Sequence, residues 1–130
     1  MTLMPSPERT KVLIVEDDEA ERSSLSELLR SHHYLTEVAT DGVEALAKLE
    51  HFEPEIILTD LNMPRMDGFE FLSVCHVKWP GIPVVVFSAE QDELAHEAVE
   101  RGAFAWVRKG SEFSVLLVIL ATAVQQSVHA

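Results

Sequence analysis

Ile56-Ile57-Leu58-Thr59-Asp60-Leu61-Asn62-Met63-Pro64-Arg65-Met66-Asp67-Gly68 is the stretch whose reading decides the fold. An uncharged, mostly β-branched run stops at an acid. A Pro-containing segment follows, and Asp-Gly then opens an amphipathic stretch, which together read as strand, loop and helix start. A strand with no polar face has no side to turn to water. It belongs where helices cover both faces of a parallel sheet.

Working outward, the same unit recurs until it has been counted five times. Residues 11–15, 34–39, 56–59, 84–87 and 104–107 read as strands, and an amphipathic stretch follows each. Helix starts are marked by an acid three residues ahead of a Glu, at Asp18 with Glu21, Asp41 with Glu44, and Asp67 with Glu70, a pattern like the capping box. Gly102 follows the helical stretch 94–101 and suits a left-handed cap, while Pro80 and Gly81 mark a turn before the fourth strand. Alternation of this kind gives an α/β fold built on a parallel sheet.

The 130 residues, 47% hydrophobic, suit one domain, expected over residues 10–130 behind a disordered tail at 1–9. The formal charge of −12 argues against nucleic-acid binding by this segment, because phosphate backbones draw clustered Lys and Arg. The first ten residues lack the apolar core of a signal peptide, and no apolar run approaches the ~20 residues of a membrane span. A cytoplasmic location without membrane contact is expected. Cys75 is the sole cysteine, which excludes a disulfide within the chain and predicts a buried, unreactive thiol. The six histidines show no ligand spacing and are read as solvated.

Right-handed crossovers place the loops after the strands of such a sheet at one edge, where ligands bind. This sequence puts Glu16, Asp17 and Asp18 there, with Asp60, Ser88 and Lys109. Two like charges ~4 Å apart repel by roughly 4 kcal/mol at an effective dielectric near 20, so clustered carboxylates need compensation. Mg²⁺ fits, since it takes oxygen ligands and commonly combines one or two carboxylates with a phosphoryl oxygen. Lys109 supplies a second positive charge, although alternation along the strand could exchange it with Arg108. Asp18 has a capping role available, whereas Glu16 and Asp17 have none. The latter pair is therefore assigned to the metal, with Asp18 kept as an alternative.

Glu16-Asp17-Asp18 after the first strand, Asp60 through Met63-Pro64 to Asp67-Gly68 after the third, Ser88-Ala89 ending the fourth, and Gly102-Ala103 through Trp106 to Lys109 together resemble the receiver domains of bacterial two-component response regulators. The likeness covers about residues 10–126. It implies a flavodoxin-like (βα)5 three-layer sandwich with strand order 2-1-3-4-5. It also implies that a sensor histidine kinase or histidine phosphotransfer protein delivers a phosphoryl group to Asp60. Direct Mg²⁺ coordination by Asp17, Asp60 and the Asn62 carbonyl is implied, with Glu16 acting through water. Ser88 and Trp106 are implied as hydroxyl and aromatic switch residues, and Lys109 as the phosphoryl-facing cation. Two positions depart from the family pattern. Trp106 stands where Tyr or Phe is usual, and Gly110 stands where a Pro normally follows the lysine, so that a mobile loop with a trans peptide is expected.

Competing readings are weaker. A haloacid-dehalogenase-type phosphohydrolase needs an acid where Asn62 stands, and a flavodoxin-type flavin module needs a phosphate loop where Glu16-Asp17-Asp18 would repel the anion. A pseudo-receiver that folds alike and works as an interaction module without phosphorylation is the remaining alternative. The stretch suits a stand-alone receiver and one cut from a longer protein equally. In the last helix Phe113, Leu116, Leu117, Leu120 and Val124 form a core-facing stripe. Val115, Val118 and Ile119 form a second apolar stripe, in a segment from Phe113 onward with no Asp, Glu, Lys or Arg. This second stripe is expected to dock a partner or a second copy.

Overall fold

All five expected strands enter one parallel sheet of order β2-β1-β3-β4-β5. The structure is a computed structural model that describes residues 10–89 and 92–129; the tail expected over 1–9 lies outside the described residues. The elements run β1 Lys11–Val15, α1 Glu19–Ser31, β2 Leu35–Ala39, α2 Gly42–Leu49, β3 Ile56–Thr59, α3 Gly68–Lys78, β4 Val84–Ser88, α4 Asp92–Glu100, β5 Ala105–Arg108 and α5 Phe113–His129. Strand ends differ from the sequence reading by a residue. Tyr34, for instance, falls outside β2 because its N–H turns back to the Leu29 carbonyl at the end of α1.

The central strands are apolar on both faces because they serve two cores. Val12 and Ile14 of β1 pack with Leu25 and Leu29 of α1 and with Leu116 and Leu120 of α5. Leu13 and Val15, between them in sequence, pack on the other face with Ala45 and Leu49 of α2 and Phe71 and Leu72 of α3. Period-two alternation of the strand thus splits one apolar run between two helical layers. Cys75 lies in the second core, and burial pushes its thiol up to about 12, too high for thiolate chemistry at neutral pH. Among the described residues no helix is long and apolar enough to cross a membrane.

The expected caps form, but only at Asp18 and Asp41 does even the first half of the capping-box pattern appear. Asp18 accepts from the Glu21 N–H at 2.9 Å and Asp41 from the Glu44 N–H at 2.9 Å, while Asp67 accepts from Phe69 N–H at 2.6 Å, one residue earlier than Glu70. The reciprocal bonds go elsewhere. Glu44 reaches back to Thr40 N–H, and the Asp18 N–H is taken by Glu16, leaving the Glu21 carboxylate free for another use.

The loop after β3 is fixed at three points. Arg65, in a left-handed conformation at φ 66°, forks onto the buried Asp41 carboxylate at 2.7 and 3.0 Å. Met66 packs over Gly42, and Gly68 approaches Leu61 so closely that a Cβ there would lie 2.4 Å from the Leu61 Cα. Only glycine allows that approach. The Arg65 guanidinium holds the Asp41 carboxyl below its usual range, with the Glu44 and Val43 N–H groups assisting against burial.

A lowered carboxylate stabilises the fold above the ordinary aspartate pKa of ~3.9, and that contribution is lost as the pH falls through the lowered value. Asp41→Asn, which keeps a cap but loses the charge, should therefore cost up to about 1 kcal/mol at neutral pH, the scale of an ion pair with one exposed partner. Urea unfolding from pH 7 down to pH 3 should show the gap between the two proteins closing.

In α5 the core stripe is largely as expected. Leu116 and Leu120 are buried together with Ala123, and Phe113, Leu117 and Val124 pack half-buried against them. Ile119 departs from the reading, because it too packs against this core. The exposed stripe therefore narrows to Val115 and Val118, which are 44% and 65% exposed.

Candidate functional site

Four loops meet at the C-terminal edge of β1, β3, β4 and β5, where they enclose a cleft of about 460 Å³. Glu16, Asp17, Glu21, Asp60, Asn62, Ser88 and Lys109 line it, with Met63, Pro64 and Ala89. Register places these groups together. Val15 lies beside Thr59, so Glu16 and Asp60 emerge side by side, and Ser88 lies beside Arg108, which brings Lys109 over the same edge.

Asp60 is 7% exposed. Its Oδ1 accepts from the Leu61 N–H at 2.7 Å and the Asn62 N–H at 3.3 Å, which fixes the carboxylate plane. Oδ2 faces the Lys109 ammonium at 2.9 Å. Lys109 also donates to Glu16 Oε1 at 2.9 Å and to Glu21 at 3.2 Å. Arg108 is exposed, which decides between the two adjacent cations.

Burial alone would depress the Lys109 ammonium, but the hydrogen bonds and charges of Glu16 and Asp60 outweigh it and raise its pKa. Glu16 behaves differently. Burial raises its carboxyl and prevails over the opposing bonds from Lys109 and the Asp18 N–H, because Glu16 is the more deeply buried partner and also faces Asp60.

Glu16, Asp17 and Asp60 each present a carboxylate oxygen within 4.8 Å of the others. Hard, negatively charged oxygens clustered at that range suit Mg²⁺ or Ca²⁺ better than a softer metal. Both Glu16 oxygens are occupied, by Lys109 and by the Asp18 N–H, whereas the exposed Asp17 carboxylate engages no described residue. Asp18 caps α1 and does not line the cleft.

The remaining expected site residues are divided between the cleft and the rest of the molecule. Ser88 is fully buried at the end of β4 and lines the cleft, but Trp106 does not. Trp106 sits beside Val86 in the sheet and packs half-buried on the core beneath α2, α3 and α4, with its indole N–H buried and without an acceptor among the described residues. Val115, Val118 and Ile119 belong to α5, away from the cleft. Glu21 is the site residue that the sequence reading missed, having assigned it to a capping box. The available signal was Glu16, a second acid able to reach the same orphan N–H.

The family pattern described as response regulator receiver domain matches residues 12–121. The chain belongs to that family. This receiver is 42% identical over 103 residues to protein-glutamate methylesterase/protein-glutamine glutaminase 3 of Rhodospirillum rubrum, covering 77% of the chain and 28% of that protein. It is 37% identical over 115 residues to the response regulator protein FleR of Pseudomonas aeruginosa, covering 85% of the chain and 24% of that protein. The chain thus spans under a third of the length of these relatives. Among solved structures, the chemotaxis response regulator CheY4 of Vibrio cholerae is 33% identical with a TM-score of 0.81, covering 88% of this chain and 98% of that one. A CheY-like receiver from Methanospirillum hungatei is 27% identical with a TM-score of 0.86, covering 92% and 97%. The strand order 2-1-3-4-5 and the five helices are therefore those of the flavodoxin-like receiver fold.

Proposed function

We propose that this receiver accepts a phosphoryl group on Asp60 from a histidine kinase or histidine phosphotransfer protein, and that the added group alters a protein-interaction face. One observation carries the reading. Asp60 is a buried carboxylate with one oxygen fixed by backbone N–H groups and the other turned into a cleft toward the ammonium of Lys109.

In the proposed step an Asp60 oxygen forms a bond to phosphorus as the P–N bond to the donor imidazole breaks, and the electron pair stays on the imidazole nitrogen. No proton leaves Asp60, so no base is required. Lys109 pairs with a phosphoryl oxygen, and the Ser88 hydroxyl donates to another. Trp106, beneath the cleft, follows Ser88 as the aromatic of the switch. Asp17, Asp60 and the Asn62 carbonyl would hold Mg²⁺, with Glu16 contributing through water because its own oxygens are engaged. Mg²⁺ bound there supplies positive charge against the oxygens of the transferring group. Incubation with acetyl phosphate and Mg²⁺, read by intact mass, tests the reading. Absence of any mass gain would leave the pseudo-receiver.

The metal assignment has its own check. Asp17→Ala should weaken Mg²⁺ binding severely in calorimetric titrations. Asp18→Ala should leave it largely intact and cost about 1 kcal/mol of stability through the lost cap.

The interaction face is proposed on α5, at Val115 and Val118, with Ile119 lending support from the core side. Two exposed valines on a helix without Asp, Glu, Lys or Arg favour contact with a second copy. Sedimentation velocity should show association that strengthens on phosphorylation and disappears in Val115→Lys with Val118→Lys; a monomer in every state would exclude a dimer.

A further inference from the structure

We propose that Glu21 is a positioning residue that latches Lys109 until a phosphoryl group displaces it, and so restrains loading of Asp60; the inference rests on the phospho-acceptor reading above. An ammonium has three N–H donors. In Lys109 all three have carboxylate partners: Glu16 at 2.9 Å, Asp60 at 2.9 Å and Glu21 at 3.2 Å. A phosphoryl oxygen can receive an N–H from Lys109 only when one of these partners gives it up.

Burial decides which partner yields. The Glu16 and Asp60 side chains are 3% and 8% exposed, so either would be left without solvent if Lys109 withdrew. The Glu21 side chain is 46% exposed, and water can replace Lys109 there at little cost. Glu21 is thus the partner that is released. Its position also serves this role, since it lies in the first turn of α1 and lines the cleft where a phosphate-bearing donor must enter. There its negative charge opposes an anionic donor. The loop behind Lys109 can follow the exchange, because Gly110 holds φ at +97°, a conformation side chains rarely adopt, and a Cβ built there would meet nothing.

Loading by acetyl phosphate forms the Asp60 oxygen–phosphorus bond and breaks the bond between phosphorus and the acetate oxygen, so acetate leaves with the electron pair. The test compares the rate of this step, at saturating Mg²⁺ and read by intact mass, in the parent, Glu21→Gln and Glu19→Gln. Glu19 lies in the same turn and bears the same charge but does not line the cleft, so its variant corrects for net charge and for the helix terminus. Glu21→Gln should load about three- to tenfold faster than the parent, with a flatter dependence on salt because a charge facing the donor is gone. Glu19→Gln should match the parent. Equal rates for the two variants would overturn the latch. No mass gain in any of the three proteins would instead remove the phospho-acceptor reading, and the latch with it.

Discussion

Asp60→Asn should abolish phosphoryl loading while leaving the fold at least as stable as the parent in the absence of divalent metal. The amide has no anionic oxygen with which to attack phosphorus, so loss below detection is expected in the acetyl phosphate assay. Stability should not suffer, because Asn keeps an oxygen to accept the Leu61 N–H and Lys109 keeps Glu16 and Glu21 as partners. One of the negative charges that crowd Glu16 is removed at the same time. Thermal unfolding in EDTA is the check. A clear fall in melting temperature would show that the acidic cluster is not a source of strain.

Lys109→Met should act in the opposite sense. It deletes the cation that three carboxylates share, two of them buried, and leaves those two facing each other across the cleft. Removing one partner of a buried ion pair costs about 3 to 5 kcal/mol, and the cost here should lie near the lower figure because the cleft is open on one side. The loss should shrink when Mg²⁺ is added. It should also shrink on acidification. Burial already raises the Glu16 carboxyl, and without Lys109 the raise grows. Stability lost at neutral pH is then regained as the pH falls through that raised value toward the ordinary glutamate pKa of ~4.3. Unfolding curves with EDTA, with Mg²⁺ and at two pH values would show a pH-independent deficit if the clustered carboxylates were not its origin.

Much of this was legible in the residues because strand-end chemistry and sheet topology constrain one another. Once residues 56–59 are a two-faced strand, Asp60 must stand at its C-terminal end, and parallel register brings Glu16 and Lys109 to it. Asp18 was separable from Asp17 by its capping geometry, which the 2.9 Å bond to the Glu21 N–H bears out. What could not be read was which of two local uses a side chain takes. Glu21 suits a capping box and equally a lysine across the cleft, and its choice depends on Glu16 occupying the Asp18 N–H first. Arg65 was invisible for a similar reason. Its partner Asp41 lies 24 positions earlier, and nothing local announces their contact. Ile119 was misplaced because, at 3.6 residues per turn, it lies only about 60° around the helix from the buried Leu116, close enough for its side chain to reach the core.

The composition of α5 also shapes how this molecule meets others before any contact forms. All of its Asp, Glu, Lys and Arg residues lie ahead of Phe113, so the net charge of −12 belongs to the rest of the chain and this helix carries none of it. At physiological ionic strength an acidic surface is felt over only ~8 Å, while a helix with its side chains is ~10 Å across. A body approaching Val115 and Val118 is therefore held off from the acidic surface by roughly the distance over which salt cancels it. The uncharged helix is thus an electrostatic blind spot in an anionic molecule, a stretch of surface that sets no like charge of its own against an approaching acidic protein.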